Sequence, residues 1–370
     1  MRNSKNTHQL TDADSKATAR SVIAGLASVV ALRNVGVFML LPLIALHAET
    51  LAGSTPLLVG VAVGMFGICQ AAMQWPFGWL SDRIGRRSTI AFALLLLAAG
   101  SVVCAIATRI EWFLLGRLLQ GLGAIASIWM AWLSDHTPND RRTRAMAWVG
   151  AAIGSSFMLS LILGPVLTSW ITISSVFWVA AGFAVMALIP LARVPEATEP
   201  LKTESVQSKP TQPFGITNWV PFIGIFGLHL ALTLLFVVLP FVLRDQVGLS
   251  VDKHWWVYVP SFVVSIVGVV ILIRALERTH RGVLLQLLSM LALLTGLAIV
   301  FIATTSITMA IVAVMIFFTG FNFLESHWPA LASQQGGAQD RGQVMGIYKT
   351  FQFMGEFAGG VLGGILMMAI

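Results

Sequence analysis

The stretch Gly78-Trp79-Leu80-Ser81-Asp82-Arg83-Ile84-Gly85-Arg86-Arg87 is a short, charged turn between two long apolar segments. Residues 57–80 precede its charges, and Ser88–Thr108 follows without one charged side chain. A helix needs about 20 predominantly apolar residues to cross the hydrocarbon core of a bilayer. Each flanking segment therefore predicts one membrane-spanning helix, and the turn joins the two at the membrane surface.

The same pattern of long apolar runs and short polar turns continues along the whole chain of 370 residues. Charged residues make up 11% of it, whereas soluble domains carry about 25%. The runs do not alternate between apolar and polar residues, which argues against barrel strands. Helices satisfy their own backbone hydrogen bonds in lipid, so we predict an all-α integral membrane protein with eleven helices. The predicted spans are residues 22–46, 57–80, 88–108, 112–133, 144–169, 173–193, 216–243, 255–273, 283–303, 307–331 and 343–370.

Lysine and arginine are distributed unevenly between the two sides of the predicted membrane. With a cytoplasmic N-terminus, seventeen of these residues lie on the cytoplasmic side and three, Arg109, Arg244 and Lys253, lie outside. Cytoplasmic loops of membrane proteins carry such an excess of positive charge. We therefore predict a multi-pass protein of the inner cell membrane with its N-terminus in the cytoplasm. The net charge of +7 then reflects topology, and we expect no nucleic acid partner.

The chain divides into two halves around one long polar loop. Residues 194–215 mix prolines with charged and small residues, which predicts a flexible linker. We therefore expect a cytoplasmic tail (1–21), a six-helix bundle (22–193) and a second bundle with helices 7–11 (216–370). The halves also share a pattern at a constant offset of 199 residues, typical of transporter repeats. Gly121, Ser127, Trp129 and Ala131 recur as Gly320, Ser326, Trp328 and Ala330.

Three sequence motifs resemble those of the major facilitator superfamily. The turn at 78–87 matches the family signature Gly-x-Leu-x-Asp-Arg-x-Gly-Arg-Arg/Lys at each fixed position. Residues 117–123 are similar to the family motif Arg-x-x-Gln-Gly-x-Gly. The residues Gly150, Gly154, Ser160 and Gly164-Pro165 resemble the antiporter signature, from which Leu167 and Thr168 depart. The stretches 33–42 and 321–325 resemble the YajR-like branch of proton-linked drug antiporters.

This resemblance implies a major facilitator fold of two pseudo-symmetric helix bundles around a central cavity, lined by helices 1, 2, 4, 5, 7, 8, 10 and 11. Family members have twelve helices, so the twelfth is missing from the eleven predicted here. The turn would act as a gate on the inner side, through Gly78, Asp82, Arg83, Gly85, Arg86 and Arg87. Small residues let membrane helices approach closely, which predicts a helix-packing motif of Gly154, Gly164, Pro165, Gly355, Gly359 and Gly363.

Ionisable residues within the apolar helices are few, and such residues usually mark functional sites. Glu325 is our predicted proton carrier and Glu356 the alternative, because Lys349 on the same helix face can pair with Glu356. His229 on an apolar face is more often a satisfied hydrogen-bonding group than a functional one. His327 lies nearly opposite Glu325 around its helix, so we expect no pairing between them. The predicted substrate cavity contains Arg33, Asn34, Gln70, Gln74, Arg117, Gln120, His229, Asn322, Lys349 and Gln352.

These features predict a secondary transporter that exports a small organic compound or drug in exchange for protons by alternating access. A symporter or facilitator on the same fold is one alternative, and a non-transporting membrane sensor or scaffold is another. The substrate can be a lipophilic cation, an anion or a zwitterion. We find no metal-spaced cluster of His or Cys, no phosphate-binding loop and no nucleophile elbow, so we expect no enzyme activity, cofactor or metal. The expected partners are the substrate, protons and the bilayer, and the expected state is a monomer.

Overall fold

The computed structural model describes residues 21–137, 139–195, 218–279, 281–302, 304–335 and 341–368. Eleven long helices follow one another in these ranges, which confirms the prediction of an all-α protein. Short irregular turns interrupt α1 at residues 39–40 and α4 at residues 123–125. The helices are α1 (Ser21–Glu49), α2 (Pro56–Ile84), α3 (Arg86–Ile106), α4 (Ile110–Leu133), α5 (Asn139–Leu167), α6 (Ile173–Arg193), α7 (Val220–Gln246), α8 (Val251–Thr279), α9 (Gly282–Ile302), α10 (Ile307–Ser333) and α11 (Arg341–Leu366).

Ten of these helices, all but α11, are long and apolar enough to cross a membrane, so the chain is a multi-pass membrane protein. The polar residues Lys349, Gln352 and Glu356 lower the mean hydropathy of α11. Its 26 residues, at about 1.5 Å each, are nevertheless long enough for a hydrocarbon core about 30 Å thick. The predicted count of eleven membrane spans is therefore not confirmed, although the eleventh helix is present.

Helix contacts form a first bundle (α1–α6) and a second bundle (α7–α11). In the first, α3 packs against α4 and α6, and α2 packs against α4; in the second, α7 packs against α11, and α10 against α8 and α9. The bundles meet mainly where α2 crosses α11 and where α5 crosses α8. The predicted boundaries at the N-terminal tail and the linker stay predictions, because residues 1–20 and 196–217 lie outside the described ranges.

The two ends of the molecule differ in how closely the bundles approach. We call the side where α1 ends the Glu49 end, and the side where α2 ends the Asp82 end. Towards the Glu49 end, residues of the first bundle between positions 39 and 63 share one apolar core with Phe236, Phe317 and other residues of the second bundle. Towards the Asp82 end, the first bundle has an apolar core of its own, which contains no residue of the second bundle. The bundles are therefore joined at the Glu49 end.

Glycines allow the closest approach between the bundles. A Cβ atom at Gly60 would overlap the backbone of Gly360 and Gly364, and one at Gly64 would lie 2.8 Å from the carbonyl oxygen of Phe357. We call these contacts, together with that of Gly67 with α11, the α2–α11 glycine seam. A Cβ atom at Gly346, Gly150 or Gly154, in the Asp82 half, would meet nothing within 4 Å. The cavity between the bundles therefore opens towards the Asp82 end.

Small residues also bring α5 close to α1. The Oγ atoms of Ser156 and Ser160 each lie 3.2 Å from a carbonyl oxygen of α1. A Cβ atom at Gly164 would overlap the carbonyl oxygen of Met39. Gly154 does not belong to this row, contrary to our prediction, because it faces the open cavity. Pro165 lies in the last turn of α5, where its carbonyl oxygen accepts a hydrogen bond of 2.7 Å from the Thr168 hydroxyl.

Three further glycines of the predicted packing motif lie between α11 and α7. Cβ atoms at Gly355 and Gly359 would overlap the backbone oxygens of Phe226 and Leu230, and Gly363 lies against Val237. Since α11 also forms the seam with α2, it packs closely against both bundles.

Candidate functional site

A cavity of about 370 Å³ lies between the two bundles, within the usual size range of small-molecule sites. Residues of α1, α2, α4, α5, α7, α8, α10 and α11 line it, the set of helices that the family resemblance implies. Gln74 and Gln120, which were predicted in the cavity, are not among the lining residues. The predicted residues that do line it are Arg33, Asn34, Gln70, Arg117, His229, Asn322, Glu325, Lys349, Gln352 and Glu356.

His229 on α7 lies between two carboxylates in the second bundle. Its Nε2 atom is 3.1 Å from Oε2 of Glu325 on α10, and its Nδ1 atom is 3.3 Å from Oε1 of Glu356 on α11. Only a doubly protonated imidazole can donate to both carboxylates at once. Three titratable groups from three helices therefore form one cluster on the cavity wall, which we call the acidic cluster.

The expected pairing of Lys349 with Glu356 is wrong. The Lys349 ammonium donates a hydrogen bond of 2.6 Å to Oε1 of Gln352, one turn along the same helix. Glu356 is seven residues away, a rise of about 10 Å along α11, and it faces His229 of the neighbouring helix instead. Among the described residues, Lys349 consequently lies within ion-pair distance of no carboxylate.

The first bundle contributes an arginine that faces the break in α4. The helix is interrupted at Gly123, whose carbonyl oxygen is free to accept contacts from Gln70 at 3.4 Å and from Arg33 at 3.5 Å. Arg33 also donates a hydrogen bond of 2.9 Å to Oδ1 of Asn34. Its guanidinium carbon lies 5.8 Å from the ring centre of Phe66, within the range of a cation–π contact.

Arg117 lines the cavity, but hydrogen bonds to the protein occupy its guanidinium. It is 2% exposed and donates to the carbonyl oxygens of Ala62 (2.9 Å) and Val63 (3.3 Å) on α2. A third hydrogen bond of 2.6 Å reaches Oε1 of Gln120. Gln120 in turn donates to the Ser101 hydroxyl, so these polar contacts join α4 to its neighbours, and Gln120 is absent from the cavity wall.

Asn322, Gln74 and His327 each contact a neighbouring helix. Asn322 donates a hydrogen bond of 2.9 Å to the Ser265 hydroxyl of α8. Gln74 is buried, and its backbone carbonyl oxygen accepts a hydrogen bond of 3.3 Å from Ser127. The Nε2 atom of His327 lies 3.1 Å from Nε2 of Gln286 on α9. This contact is on the side of α10 away from Glu325.

Aromatic side chains form much of the cavity wall, and they were not predicted from the sequence. The ring of Phe157 on α5 contacts Phe38 of its own bundle at 5.3 Å and Phe262 of the second bundle at 5.5 Å between ring centres. A local signal was available, since Phe66 precedes Gln70 by four residues and therefore shares its helix face. The aromatic lining residues are Phe38, Phe66, Trp129, Phe157, Phe236, Phe262, Phe321 and Phe353.

The predicted gating turn forms a compact structure at the Asp82 end. Arg86 donates hydrogen bonds to Asp82 (2.7 Å) and to the Ser81 hydroxyl (2.6 Å), while the Arg83 guanidinium stacks 4.0 Å above the Trp79 ring. Gly85 has φ of +91°, a left-handed conformation that favours glycine. The Asp82 side chain is 65% exposed.

Two further residues of this turn contact other parts of the first bundle. Arg87 donates a hydrogen bond of 2.5 Å to the carbonyl oxygen of Val194 after α6. A Cβ atom at Gly78 would lie 4.0 Å from the Ser127 hydroxyl. The Arg87 hydrogen bond connects the turn to the chain after α6.

An ion pair between the bundles closes the Glu49 end, and it was not predicted from the sequence. Arg244 at the end of α7 donates a hydrogen bond of 2.7 Å to Glu49 at the end of α1. A second pair of 2.6 Å joins Arg244 to its neighbour Asp245. The scarcity of basic residues on this side was the available signal, because Arg244 is one of only three predicted there and lies at the end of a membrane helix.

Comparisons with known proteins agree with this architecture. The model of the Major Facilitator Superfamily matches residues 26–360. The chain is 36% identical over 368 residues to the inner membrane transport protein YajR of Escherichia coli (strain K12), covering 97% of this chain and 79% of that protein. It is 25% identical over 335 residues to multidrug resistance protein 2 of Bacillus subtilis (strain 168), covering 85% and 80%. A crystal structure of a bacterial homologue of the human lysosomal transporter Spinster superposes with a TM-score of 0.76 at 18% identity, covering 94% and 82%.

Proposed function

The chain belongs to the Major Facilitator Superfamily and is a transporter, not an enzyme, and from that premise we propose that it exports small organic compounds in exchange for protons by alternating access. The observation that carries this proposal is the acidic cluster, in which His229 lies between the carboxylates of Glu325 and Glu356 on the wall of the central cavity. A carboxylate that exchanges a histidine partner for a proton changes the charge of the site where a substrate binds.

Glu325 is the proton carrier in this mechanism. When Glu325 is ionised, it pairs with His229, and when it takes up a proton, this pair weakens. Protonation of Glu325 thereby changes the charge of the cavity, which couples proton binding to substrate binding. One proton moving down a pH unit supplies about 1.4 kcal/mol, and a potential of 100 mV adds about 2.3 kcal/mol per charge.

Glu356 belongs to the acidic cluster and also lies at the contact between the two bundles. A Cβ atom at Gly67 of α2 would lie 2.7 Å from Cβ of Glu356 and 3.2 Å from its Oε2 atom. A change in the ionisation or orientation of Glu356 therefore acts directly on the α2–α11 glycine seam. This arrangement supports coupling between proton binding and closure of the Glu49 end.

Charge distribution supports the direction of transport. The turn at the Asp82 end contains Arg83, Arg86 and Arg87, and an excess of arginine favours the cytoplasmic side. We therefore place the Asp82 end and the N-terminus in the cytoplasm of an inner-membrane protein, so that the cavity opens inwards and takes up substrate there. The 25% identity to multidrug resistance protein 2 supports export of drug-like compounds. The cavity is complete within one chain, which supports a monomer.

The test is transport by purified protein in vesicles with an imposed pH gradient, using a panel of drug-sized cations, anions and neutral compounds. Glu325→Gln should abolish exchange of substrate for protons but retain exchange of substrate for substrate. Exchange with protons at the normal rate in this variant would refute the assignment of Glu325. Uptake in the direction of proton flow would identify a symporter, and absence of all flux from folded protein would favour a sensor or scaffold.

A further inference from the structure

The positive and negative groups around the cavity are not matched, and this imbalance bears on the class of substrate. Both carboxylates, Glu325 and Glu356, lie within ion-pair distance of His229. Arg33 instead donates to uncharged oxygens of Asn34 and Gly123, and Lys349 donates to Gln352. Within the part of the chain that the structure describes, neither cation lies within ion-pair distance of a carboxylate, and Glu356 and Glu325 attract Arg33 and Lys349 only over longer distances.

The cavity as a whole is positively charged. The three cations Arg33, Arg117 and Lys349 outnumber the two carboxylates among its lining residues, even with His229 counted as neutral. Arg117 is engaged with carbonyl oxygens of α2, which leaves one available cation on each bundle. The Nε atom of Arg33 is also buried without a hydrogen-bond partner. A buried donor without an acceptor costs free energy, and an anion in the cavity would form charge-assisted contacts with both cations.

The rest of the wall fits a flat apolar group. Phe157 contacts Phe38, Phe236 and Phe262 with ring centres 5.3 to 6.4 Å apart, and Phe66 lies beside Arg33. Aromatic rings at such distances pack in edge-to-face or offset geometry. A ligand with an aromatic body can therefore extend these contacts between the two bundles.

We propose that the substrate is a small aromatic monoanion, such as a carboxylate or sulfonate, whose charged group binds Arg33 of one bundle and Lys349 of the other. This inference rests on the proposed function, because it concerns the cavity of that transporter. An anion that contacts both bundles can hold them together as the cavity changes its access. A membrane potential that is negative inside also drives an anion outwards, in the proposed direction of export.

The experiment compares three naphthalene compounds that differ in permanent charge: naphthalene-1-sulfonate, 1-naphthyltrimethylammonium and the neutral 1-naphthalenemethanol. Calorimetry on the purified full chain measures the Kd of each. We expect the sulfonate to bind at least tenfold more tightly than the cation. Arg33→Gln and Lys349→Gln should each weaken sulfonate binding roughly tenfold or more, since a charge-assisted contact is lost, and should leave binding of the neutral compound within about twofold.

Matched variants separate binding from folding. Lys349→Arg should retain most of the sulfonate affinity, and Lys253→Gln, on a lysine outside the cavity, should have no effect. Binding of the neutral compound confirms that each variant is folded. The inference is overturned by a cation that binds as tightly as the sulfonate, by equal loss of all three ligands in the Gln variants, or by failure of all three to bind.

Proton flux into vesicles, driven by the same compounds, distinguishes this inference from the proposed function. Sulfonate that binds as expected but moves no protons supports the anion site and contradicts proton coupling. Proton flux driven by the trimethylammonium compound, with none from the sulfonate, supports coupling and overturns the anion site.

Discussion

The guanidinium of Arg244 lies 2.7 Å from the carboxylate of Glu49 and joins α7 of the second bundle to α1 of the first. The two side chains are 35% and 43% exposed, and exposed ion pairs contribute about 1 kcal/mol or less. Such an energy is small for folding, but about 1 kcal/mol changes a two-state population by a factor of roughly five. The pair is therefore suited to adjust the balance between the closed and open Glu49 end.

Glu49→Gln should increase the fraction of molecules that are open at the Glu49 end, by up to about fivefold. The measurement is labelling of a cysteine at the cavity residue Thr233 by an impermeant maleimide, in vesicles with the Glu49 end outside and Cys69 and Cys104 replaced. Asp245→Asn is the matched control, because Asp245 pairs with Arg244 without crossing between the bundles. Equal labelling of the two variants would show that the Glu49–Arg244 pair has no such role.

Gly64→Ala should reduce transport at least tenfold, because its methyl group would collide with the backbone of Phe357 across the α2–α11 glycine seam. Substrate flux in vesicles measures this loss, and labelling at Thr233 should rise as the Glu49 end stays open. Gly346→Ala is the control on α11, where the added methyl group has open space and alanine favours the helix. Full transport by Gly64→Ala would mean that the bundles do not close along this seam.

His229→Asn should lower the free energy of unfolding by roughly 1–3 kcal/mol, since it removes the partner of two carboxylates that are mostly but not fully buried. Thermal unfolding in detergent measures the change. Adding Glu325→Gln should restore part of the stability, because one of the two carboxylates is then neutral. If the two substitutions have simply additive effects, His229 and Glu325 are not coupled.

Arg117→Gln should destabilise the protein by roughly 1–3 kcal/mol, because it leaves carbonyl groups and Gln120 without their buried donor. Arg117→Lys should restore little of this, since lysine lacks the planar fork that reaches two carbonyl oxygens at once. Thermal unfolding again provides the measurement, and Arg109→Gln, at an exposed ion pair with Glu111, should change stability little. Normal stability of Arg117→Gln would contradict the structural role.

Asp82→Asn should slow transport while sparing substrate binding, because the gating turn acts on the change of access and lies outside the cavity. The Kd from calorimetry and the flux in vesicles are compared in the same preparation. Parallel loss of binding and flux would point to misfolding instead of a gating defect.

The sequence predicted the helices well because lipid imposes one simple requirement on them, a long apolar stretch. Local spacing was less informative about packing. Gly154 precedes Gly164 by ten residues, about 2.8 turns, so the two face different directions. Ser156, Ser160 and Gly164, four apart, share one face and form the observed row against α1.

The site was only partly predictable, because its contacts join distant parts of the chain. His229 and Glu325 are 96 residues apart, and no local spacing reveals their pairing. Lys349 and Glu356 share a helix face, which suggested a pair that geometry does not allow. A polar side chain in a membrane helix can also face a neighbouring helix, and Gln120, bound to Arg117 and Ser101, is such a case.

The α2–α11 glycine seam has a consequence for the thermodynamics of opening. Glycine has no side-chain rotamers. Its side-chain conformational entropy is therefore unchanged when the two helices separate or come together again. At Gly60 and Gly64, where the seam joins backbone to backbone, parting the helices mainly loses dispersion attraction, which is small per atom pair and falls off over short distances. Two helices in this arrangement can part and rejoin repeatedly without repacking interlocked side chains.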